Sequence, residues 1–458
     1  MSVGNVWFKK NPLKFSHHNG RLEIQLGKTI KPEESITVTI DYAGQPAEGL
    51  IISANKFGDR TFFGDNWPDQ ARNWLPTIDH PYDKATCEFI ITAPSHYQAI
   101  ANGILVERTN LPGSRILTHW KEDVVIPTKV MVIGVARFAT TTSGIVDGIP
   151  VETWVYPQNK EAGFNDFKIA PKVLQYFITQ VAPFPYKKLA NVQSTTSFGG
   201  MENASNIFYF EDAVNGKNER EGLIAHEIAH QWFGDSASEL DWHHVWLSEG
   251  FATYFTNLYY EQTYGKDVLE KRMKEQRQKV ISYYKENPSP IVDTTITEIR
   301  KVLSTNTYQK ASWVLHMLRK DVGDSAFFKG IRTYYHTFKN GNALTDDFRR
   351  IMETESGKDL KPFFQQWIWK GGHPNLSASW TYDQSRKALV LTIRQNQARL
   401  FKTPLVIGFS SENGTMEKQT ITLAEKESEF VIQAESRPKQ VILDPDTWLL
   451  FEGNIQAK

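Results

Sequence analysis

The sequence contains a single cysteine, no net charge and no long apolar run, and each shortage excludes a class of protein. With only Cys87, the chain cannot form an internal disulfide. Lys plus Arg and Asp plus Glu both total 52 among 458 residues, so the charge balance favours neither nucleic acid nor a membrane surface as partner. The most apolar stretch, residues 124–136, is too short to span a bilayer and contains Pro127 and Lys129.

The first residues, Met-Ser-Val-Gly-Asn-Val-Trp, also lack the charged head and apolar core of a signal peptide. We therefore predict a soluble protein and favour the cytoplasm. A periplasmic or secreted location stays open if the natural N-terminus is longer, and the sequence does not indicate an oligomeric state. The hydrophobic content of 40% is ordinary for a globular chain, and the length corresponds to about three domains.

The apolar patterns divide the chain into three parts. Alternation of apolar and polar residues predicts β-strands in the first part, and a return to this pattern predicts a β-sandwich in the last. The expected strands are 21–26, 35–42, 85–92, 124–135, 389–393, 405–409, 420–423 and 429–432. Between these parts, residues 141–372 have helical periodicity. The expected helices are 166–181, 266–284, 305–322, 325–338, 345–355 and 360–370.

The most informative stretch runs from Glu221 to Glu261 and begins with a His-Glu-x-x-His motif. An apolar stripe predicts a helix that ends near Gly234, so His226 and His230 share one face and can reach one ion. A second predicted helix, residues 245–264, carries Glu249. Two imidazoles and one carboxylate leave a fourth position open for water, as in catalytic zinc sites. Glu227 directly follows the first histidine and can take a proton from that water.

Other segments carry weaker signals. Gly199 and Gly200 allow the backbone to approach a ligand closely, and Glu202 offers a carboxylate to a positive group, although a Gly-Gly turn with a Glu is commonplace. Tyr308 can stabilise an oxyanion, although alone it reads as an ordinary tyrosine. His243 and His244 lie near Glu249 in sequence. Neither is a predicted metal ligand, but one of them is a candidate to orient a metal ligand through a hydrogen bond.

Taken together, four motifs resemble the zinc aminopeptidases typified by aminopeptidase N and leukotriene hydrolase. They are Gly-Gly-Met-Glu-Asn at 199–203, His-Glu-x-x-His at 226–230, Trp-Leu-Ser-Glu-Gly at 246–250 and Tyr-x-Lys at 308–310. The resemblance implies an α+β multidomain fold. Its domains would be an N-terminal β-saddle over residues 1–140, short at its start, a thermolysin-like α/β catalytic domain over 141–372, and a C-terminal β-sandwich over 373–458.

The resemblance also implies the roles of particular residues. One zinc ion per chain would be bound by His226, His230 and Glu249. Glu227 would be the general base, and Tyr308 would stabilise the transition state. Glu202 would anchor the α-amino group of the substrate. Gly199, Gly200 and Met201 would lie along the bound peptide.

Three features depart from the family pattern. Ser248 replaces the more usual Asn, and the chain ends soon after the predicted sandwich, without the long helical C-terminal domain of many members. Where the family often has Gln or Glu near the amino group, the simplest alignment places Trp67. Asp65, Asp69 and Gln70 are alternatives for that role.

These observations predict a zinc aminopeptidase that removes N-terminal residues from peptides with a free α-amino group. An epoxide hydrolase that uses the same zinc is one alternative. A thermolysin-type endopeptidase is another, and it would cleave N-acetylated peptides. A non-catalytic scaffold is a third alternative, although such relatives usually lose a zinc ligand or the base. A metzincin is excluded, because Ser236 occupies the position of its third histidine.

Overall fold

The computed structural model describes residues 1–410 and 415–458 and contains two compact units. The first comprises Met1–Asp241 and Phe338–Asn342, and the second comprises Trp242–Thr337 and Ala343–Lys458. The boundaries of the three predicted domains, at residues 140 and 372, stay predictions. Within the described residues, no helix combines the length and the apolar character that a membrane crossing requires.

The first part of the first unit is built from strands, as predicted. Their bounds are Ser2–Phe8, Asn11–Pro12, Lys14–His18, Arg21–Gln25, Val38–Ala43, Gly49–Ala54, Arg60–Asp65, Ala85–Pro94, Gln98–Ala101, Ile104–Leu111, Arg115–Ile126 and Ile133–Ala136. The prediction of one strand over residues 124–135 is wrong. The strand ends at Ile126, because Pro127 has no N–H to continue the ladder. A 3-10 turn, Thr128–Val130, separates the two pieces.

A five-stranded sheet follows and forms the framework of the site. Its order is Ala139–Val146, Ile149–Val155, Leu189–Ser194, Asn206–Phe210 and Gly200–Met201, and the second, third and fourth strands run parallel. The prediction of purely helical periodicity after residue 141 missed these strands. Every residue of Leu189–Ser194 is buried, so this central strand lacks the alternation that marks a half-buried strand. Its apolar side chains join a core around Phe63, Ile100 and Phe208.

The helices of the first unit are Lys160–Asp166, Ala170–Gln180 and Glu221–His230. The predicted helix 166–181 begins four residues late, after a 3-10 turn at Phe167–Ile169. Pro171 lies in the first turn of the observed helix, where its missing N–H costs no hydrogen bond. The Asp166 carboxylate instead accepts hydrogen bonds from the backbone N–H groups of Asn215, Gly216 and Asn218, at 2.7–2.9 Å.

A short segment from much later in the chain completes the first unit. The Asn342 side-chain amide donates to the backbone oxygens of Pro81 and Glu239, at 2.8 and 2.9 Å. The Ser236 hydroxyl lies 3.1 Å from the Asn340 side-chain oxygen. The first unit is therefore discontinuous in sequence. The short strand Ala237–Glu239 follows Ser236 in the sequence, and the short strand Gly341–Ala343 follows Asn340.

The second unit contains the predicted helices and the predicted sandwich. The helices are Trp246–Tyr264, Lys266–Glu286, Ala311–Val322, Asp324–Phe338, Thr345–Ser356 and Lys361–Trp367. One sheet has the order Glu427–Gln433, Ala388–Gln395, Asn375–Asp383 and Glu452–Ala457, and the other has Met416–Leu423, Thr403–Ser410 and Gln440–Leu443. The prediction for residues 305–322 needs one correction, because Asn306–Lys310 is a π-helical turn before the α-helix.

His316 lies in the core of the second unit and is held in its neutral form. Its Nε2 donates to the Thr447 carbonyl at 3.0 Å, because a carbonyl can only accept, so Nδ1 accepts from the Tyr254 hydroxyl at 3.1 Å. Its ring stacks on Trp448, with centroids 4.3 Å apart. Burial lowers the pKa of His316 from 6.5 to about 3. The folded protein therefore excludes a proton that the unfolded chain binds below pH 6.5.

We expect His316 to make the protein less stable as the pH falls. Between pH 8 and pH 5 this residue should lower the free energy of unfolding by about 2 kcal/mol, because only the unfolded state takes up the proton. Urea unfolding of the wild type and of His316→Gln at pH 8 and pH 5 measures how much the free energy of unfolding of each protein changes between the two pH values. His373, whose pKa burial lowers to about 4, is present in both proteins and cancels. Equal pH dependence of the two proteins would contradict the assignment.

Candidate active site

The helix Glu221–His230, here called the histidine helix, brings the two predicted imidazoles together. Ile224 and Ile228 are fully buried and fix the helix against the core, while Glu221 in the first turn suits the positive end of the helix dipole. The Nε2 atoms of His226 and His230 lie 3.1 Å apart. Two nitrogens bound tetrahedrally to one Zn²⁺ are about 3.3 Å apart, so the pair matches the spacing of two ligands of one ion.

The second imidazole is oriented by a backbone group. Nδ1 of His230 donates to the carbonyl of Phe233 at 3.0 Å, because that oxygen can only accept. Nδ1 therefore carries a hydrogen, and Nε2, which faces His226, is the nitrogen positioned to bind a metal ion. This is the arrangement that commonly orients a metal-binding histidine in proteins.

Glu227 and the predicted anchor Glu202 also meet in the first unit. One ligand atom from each of Glu202, Glu227 and His230 lies within 4.8 Å of the others. Glu202 is only 5% exposed, and its Oε1 has no hydrogen-bond partner among the residues that the structure describes. An unsatisfied carboxylate oxygen beside a second carboxylate is a strong attractant for a cation.

The Gly-Gly segment explains how these groups come so close. Gly200–Met201 pairs antiparallel with Asn206–Phe210 at the end of the five-stranded sheet. A Cβ on Gly200 would collide with the carboxylate of Glu227, so only glycine allows this approach. Gly199, by contrast, has open space around the position of a Cβ. The strand therefore presents its backbone directly beside Glu227.

A buried polar network behind the anchor was not predicted from the sequence. The Gln231 side chain bonds to the backbone of Glu202 and Ser205 and to the carboxylate of Asp235, at 2.7, 2.8 and 3.0 Å. Burial and the nearby Glu202 raise the pKa of Asp235 well above its usual range. Lys129 and Glu239 form a fully buried ion pair, and the Lys129 ammonium also interacts electrostatically with Glu202 and Asp235. Gln231 directly follows the second histidine, which was the only sequence signal for it.

The second unit carries the other two predicted residues. Glu249 is 4% exposed on the helix Trp246–Tyr264. The next residue, Gly250, packs so closely against Ala311 that a Cβ would collide with its methyl group. Tyr308 is half-buried and lies in the π-helical turn. The turn begins at Asn306, whose side-chain amide donates a hydrogen bond to the carbonyl of Ser289 at 3.0 Å. Such turns are frequent at functional sites.

His243 and His244 have partners of their own within the second unit. Nε2 of His243 lies 2.9 Å from the Ile296 carbonyl, and Nδ1 of His244 lies 2.8 Å from the Thr345 hydroxyl. The indole of Trp246 donates to the same hydroxyl at 2.8 Å. Through Thr345, His244 is thus linked to the first residue of the helix that carries Glu249.

The four candidates for the residue near the substrate amino group lie at the end of the strand Arg60–Asp65 and in the loop that follows it. Trp67 packs edge-on against Phe198, with ring centroids 6.1 Å apart. The Asp65 carboxylate accepts from the backbone N–H of Ser197 at 2.9 Å. Asp69 pairs with Arg72 at 2.8 Å, and Gln70 bonds to Asp69 and Asn73. Two of these residues therefore contact the segment that leads into Gly199, whereas Asp69 and Gln70 make local contacts.

Comparisons with known proteins agree with the motifs. The model of the peptidase family M1 domain matches residues 166–367, and that of the peptidase M1 N-terminal domain matches residues 5–130. Glutamyl aminopeptidase of Sus scrofa is 27% identical over 355 residues, which are 73% of this chain and 37% of that protein. Probable aminopeptidase 2 of Sulfurisphaera tokodaii is 27% identical over 319 residues, 66% of this chain and 40% of that protein. This chain thus spans about two fifths of the length of these relatives.

A solved structure confirms the fold class. Aminopeptidase A of Legionella pneumophila, crystallised in complex with aspartic acid, superposes with a TM-score of 0.85 at 17% identity. The match covers 99% of this chain and 54% of that one. It shares the β-rich N-terminal part, the mixed α/β part and the β-rich C-terminal part. The two family models together take in well over half of the sequence, and the chain therefore belongs to peptidase family M1.

Proposed function

We propose that the chain hydrolyses the N-terminal bond of peptides that carry a free α-amino group. The observation that supports this best is the closeness of Glu202 to Glu227, with ligand atoms within 4.8 Å. In a peptide, the α-nitrogen and the carbonyl carbon of the first residue are only about 2.5 Å apart. An ammonium held by Glu202 therefore leaves the first carbonyl beside Glu227, and carbonyls further along the chain lie too far away.

Each carboxylate has its own part in this proposal. Glu202 binds the ammonium group, and its burial strengthens that charge-assisted bond. Glu227 takes a proton from the attacking water and delivers it to the leaving amine. Gly199, Gly200 and Met201 offer an edge of backbone along which an extended peptide can pair.

A metal ion fits the donor set. His226, His230 and Glu249 would hold Zn²⁺, with the 3.1 Å spacing of the two histidine Nε2 atoms and the backbone-oriented ring of His230 as the strongest support. Bound zinc supplies Lewis acidity, which polarises a carbonyl and lowers the pKa of water. The Tyr308 hydroxyl would donate a hydrogen bond to the developing oxyanion.

Hydrolysis of a panel of aminoacyl-arylamides, beside their N-acetylated counterparts, tests the proposal. We expect the protein to hydrolyse only the substrates with a free α-amino group. A chelator should abolish this activity, and it should return when the protein binds one equivalent of zinc, as measured by metal analysis. Cleavage of N-acetylated peptides would replace the proposal with an endopeptidase. Turnover of a lipid epoxide without peptidase activity would replace it with an epoxide hydrolase. If the zinc-loaded protein turned over none of these substrates, the non-catalytic scaffold would be the remaining alternative.

A further inference from the structure

We propose that Gln231 is a positioning residue that fixes Glu202 relative to the histidine helix, and so sets the requirement for a free N-terminus. This inference rests on the proposed function, because it concerns the group that would bind the ammonium. Gln231 is fully buried and immediately follows His230. Its side chain thus connects the helix that carries both imidazoles to the segment that carries Glu202.

Both ends of the Gln231 carboxamide are used. Nε2 donates to the Glu202 carbonyl at 2.7 Å and to Oδ2 of Asp235 at 3.0 Å. Oε1 accepts from the backbone N–H of Ser205 at 2.8 Å. Because one backbone partner is an acceptor and the other is a donor, the amide has only one orientation that satisfies both. An apolar side chain would leave both backbone groups unpaired, and a carboxylate would face the carbonyl of Glu202.

The segment that Gln231 contacts is itself a tight turn. The backbone N–H of Asn206 donates to the Asn203 carbonyl at 2.8 Å, and Ser205 has a positive φ of 61°. Gln231 bonds to Ser205 within this turn and to Glu202 directly before it. A shift of the turn relative to Gln231 therefore carries the Glu202 backbone with it. A misplacement of about 1 Å can cost roughly 100-fold in a positioned reaction, so small changes in this contact should be measurable.

Binding of two probes tests the proposal without relying on turnover. Leucine hydroxamic acid has the α-amino group, and 4-methylpentanoyl hydroxamic acid lacks it but is otherwise the same. Calorimetry on the zinc-loaded protein gives the ratio of their Kd values. For the wild type, we expect the amine to bind roughly 10- to 100-fold more tightly, because it gains a charge-assisted bond to Glu202. In Gln231→Met the ratio should fall at least about fivefold, mainly through weaker binding of the amine.

The chain offers a matched control in Gln193. This residue is also fully buried, accepts from the backbone N–H of Tyr156 and donates to the backbone oxygen of Glu211, both at 3.0 Å. Gln193→Met removes the same chemistry away from the anchor, so the Kd ratio should stay at its wild-type value. Gln231→Glu, which keeps the acceptor for Ser205, provides a second variant if Gln231→Met does not fold.

The outcomes distinguish a failure of the proposed function from a failure of the positioning role of Gln231. If the wild type binds both probes equally, the anchoring role of Glu202 fails, and the proposed function fails with it. If the wild type discriminates and a folded Gln231 variant discriminates equally well, the positioning role alone is overturned. If Gln193→Met loses discrimination as strongly as Gln231→Met, the effect is general destabilisation, and the positioning role is again overturned.

Discussion

Replacing Glu227 with Gln should lower kcat by about 10²- to 10⁴-fold, the usual contribution of a general acid–base group. Gln has nearly the same shape but cannot take a proton from water. Because Glu227 is not among the proposed metal ligands, the variant should keep its zinc and its thermal stability. Steady-state kinetics on a panel substrate, with metal analysis of the same sample, measures both quantities.

Glu221 provides the control for this prediction. It lies at the first residue of the same helix and is half-buried, so Glu221→Gln removes the same charge from the other end of the histidine helix. We expect its kcat to stay within about threefold of the wild type, because Glu221 has no part in the proposed transfer of the proton. A Glu227→Gln variant with more than a tenth of wild-type kcat would exclude this carboxylate as the general base.

Replacing Lys129 with Met should lower the free energy of unfolding by about 3–5 kcal/mol. The Lys129 ammonium and the Glu239 carboxylate lie 2.7 Å apart, and their side chains are 1% and 0% exposed. The large effect comes from the partner, since the buried Glu239 carboxylate would lose the ammonium that compensates it. Urea unfolding at pH 7 measures the change.

Two comparisons isolate the cause of this loss. The double variant Lys129→Met, Glu239→Gln removes both charges and should recover part of the lost stability. Lys28 and Glu34 form a pair of similar length, 2.8 Å, with side chains about 40% exposed. Lys28→Met should have little effect, because water already solvates both groups. Similar losses from the buried and the exposed pair would refute the explanation by burial.

The parts of the site that were predicted from the sequence are the local ones. The spacing of His226 and His230 fixes their common face on any α-helix, and the apolar residues around them identify the helix. The structure confirms the shared face and the helix, although the helix ends at His230, four residues before its predicted end near Gly234. The same local reasoning located the helices of the second unit and four of the sandwich strands to within a few residues. It did not predict the sandwich strands Asn375–Asp383, Gln440–Leu443 and Glu452–Ala457.

The parts that were missed depend on contacts between distant segments. The strand Leu189–Ser194 is buried on both faces and therefore has no alternating pattern. The approach of Glu202 to Glu227 was implied only by the family resemblance, because it depends on the pairing of Gly200–Met201 with a neighbouring strand, which no periodicity records. Gln231 looks like any polar residue at the end of a helix. Its importance becomes visible only when its three partners are known.

The discontinuity of the first unit has a consequence for synthesis on the ribosome. Asn342, which donates to the carbonyls of Pro81 and Glu239, is made about a hundred residues after Asp241. At about 5–20 residues per second, this delay lasts roughly 5–20 seconds. During that interval the nascent first unit must hold its strands without its last segment, while most of the helices of the second unit are translated. The segment Phe338–Asn342 is therefore the last part of the first unit to become available for packing.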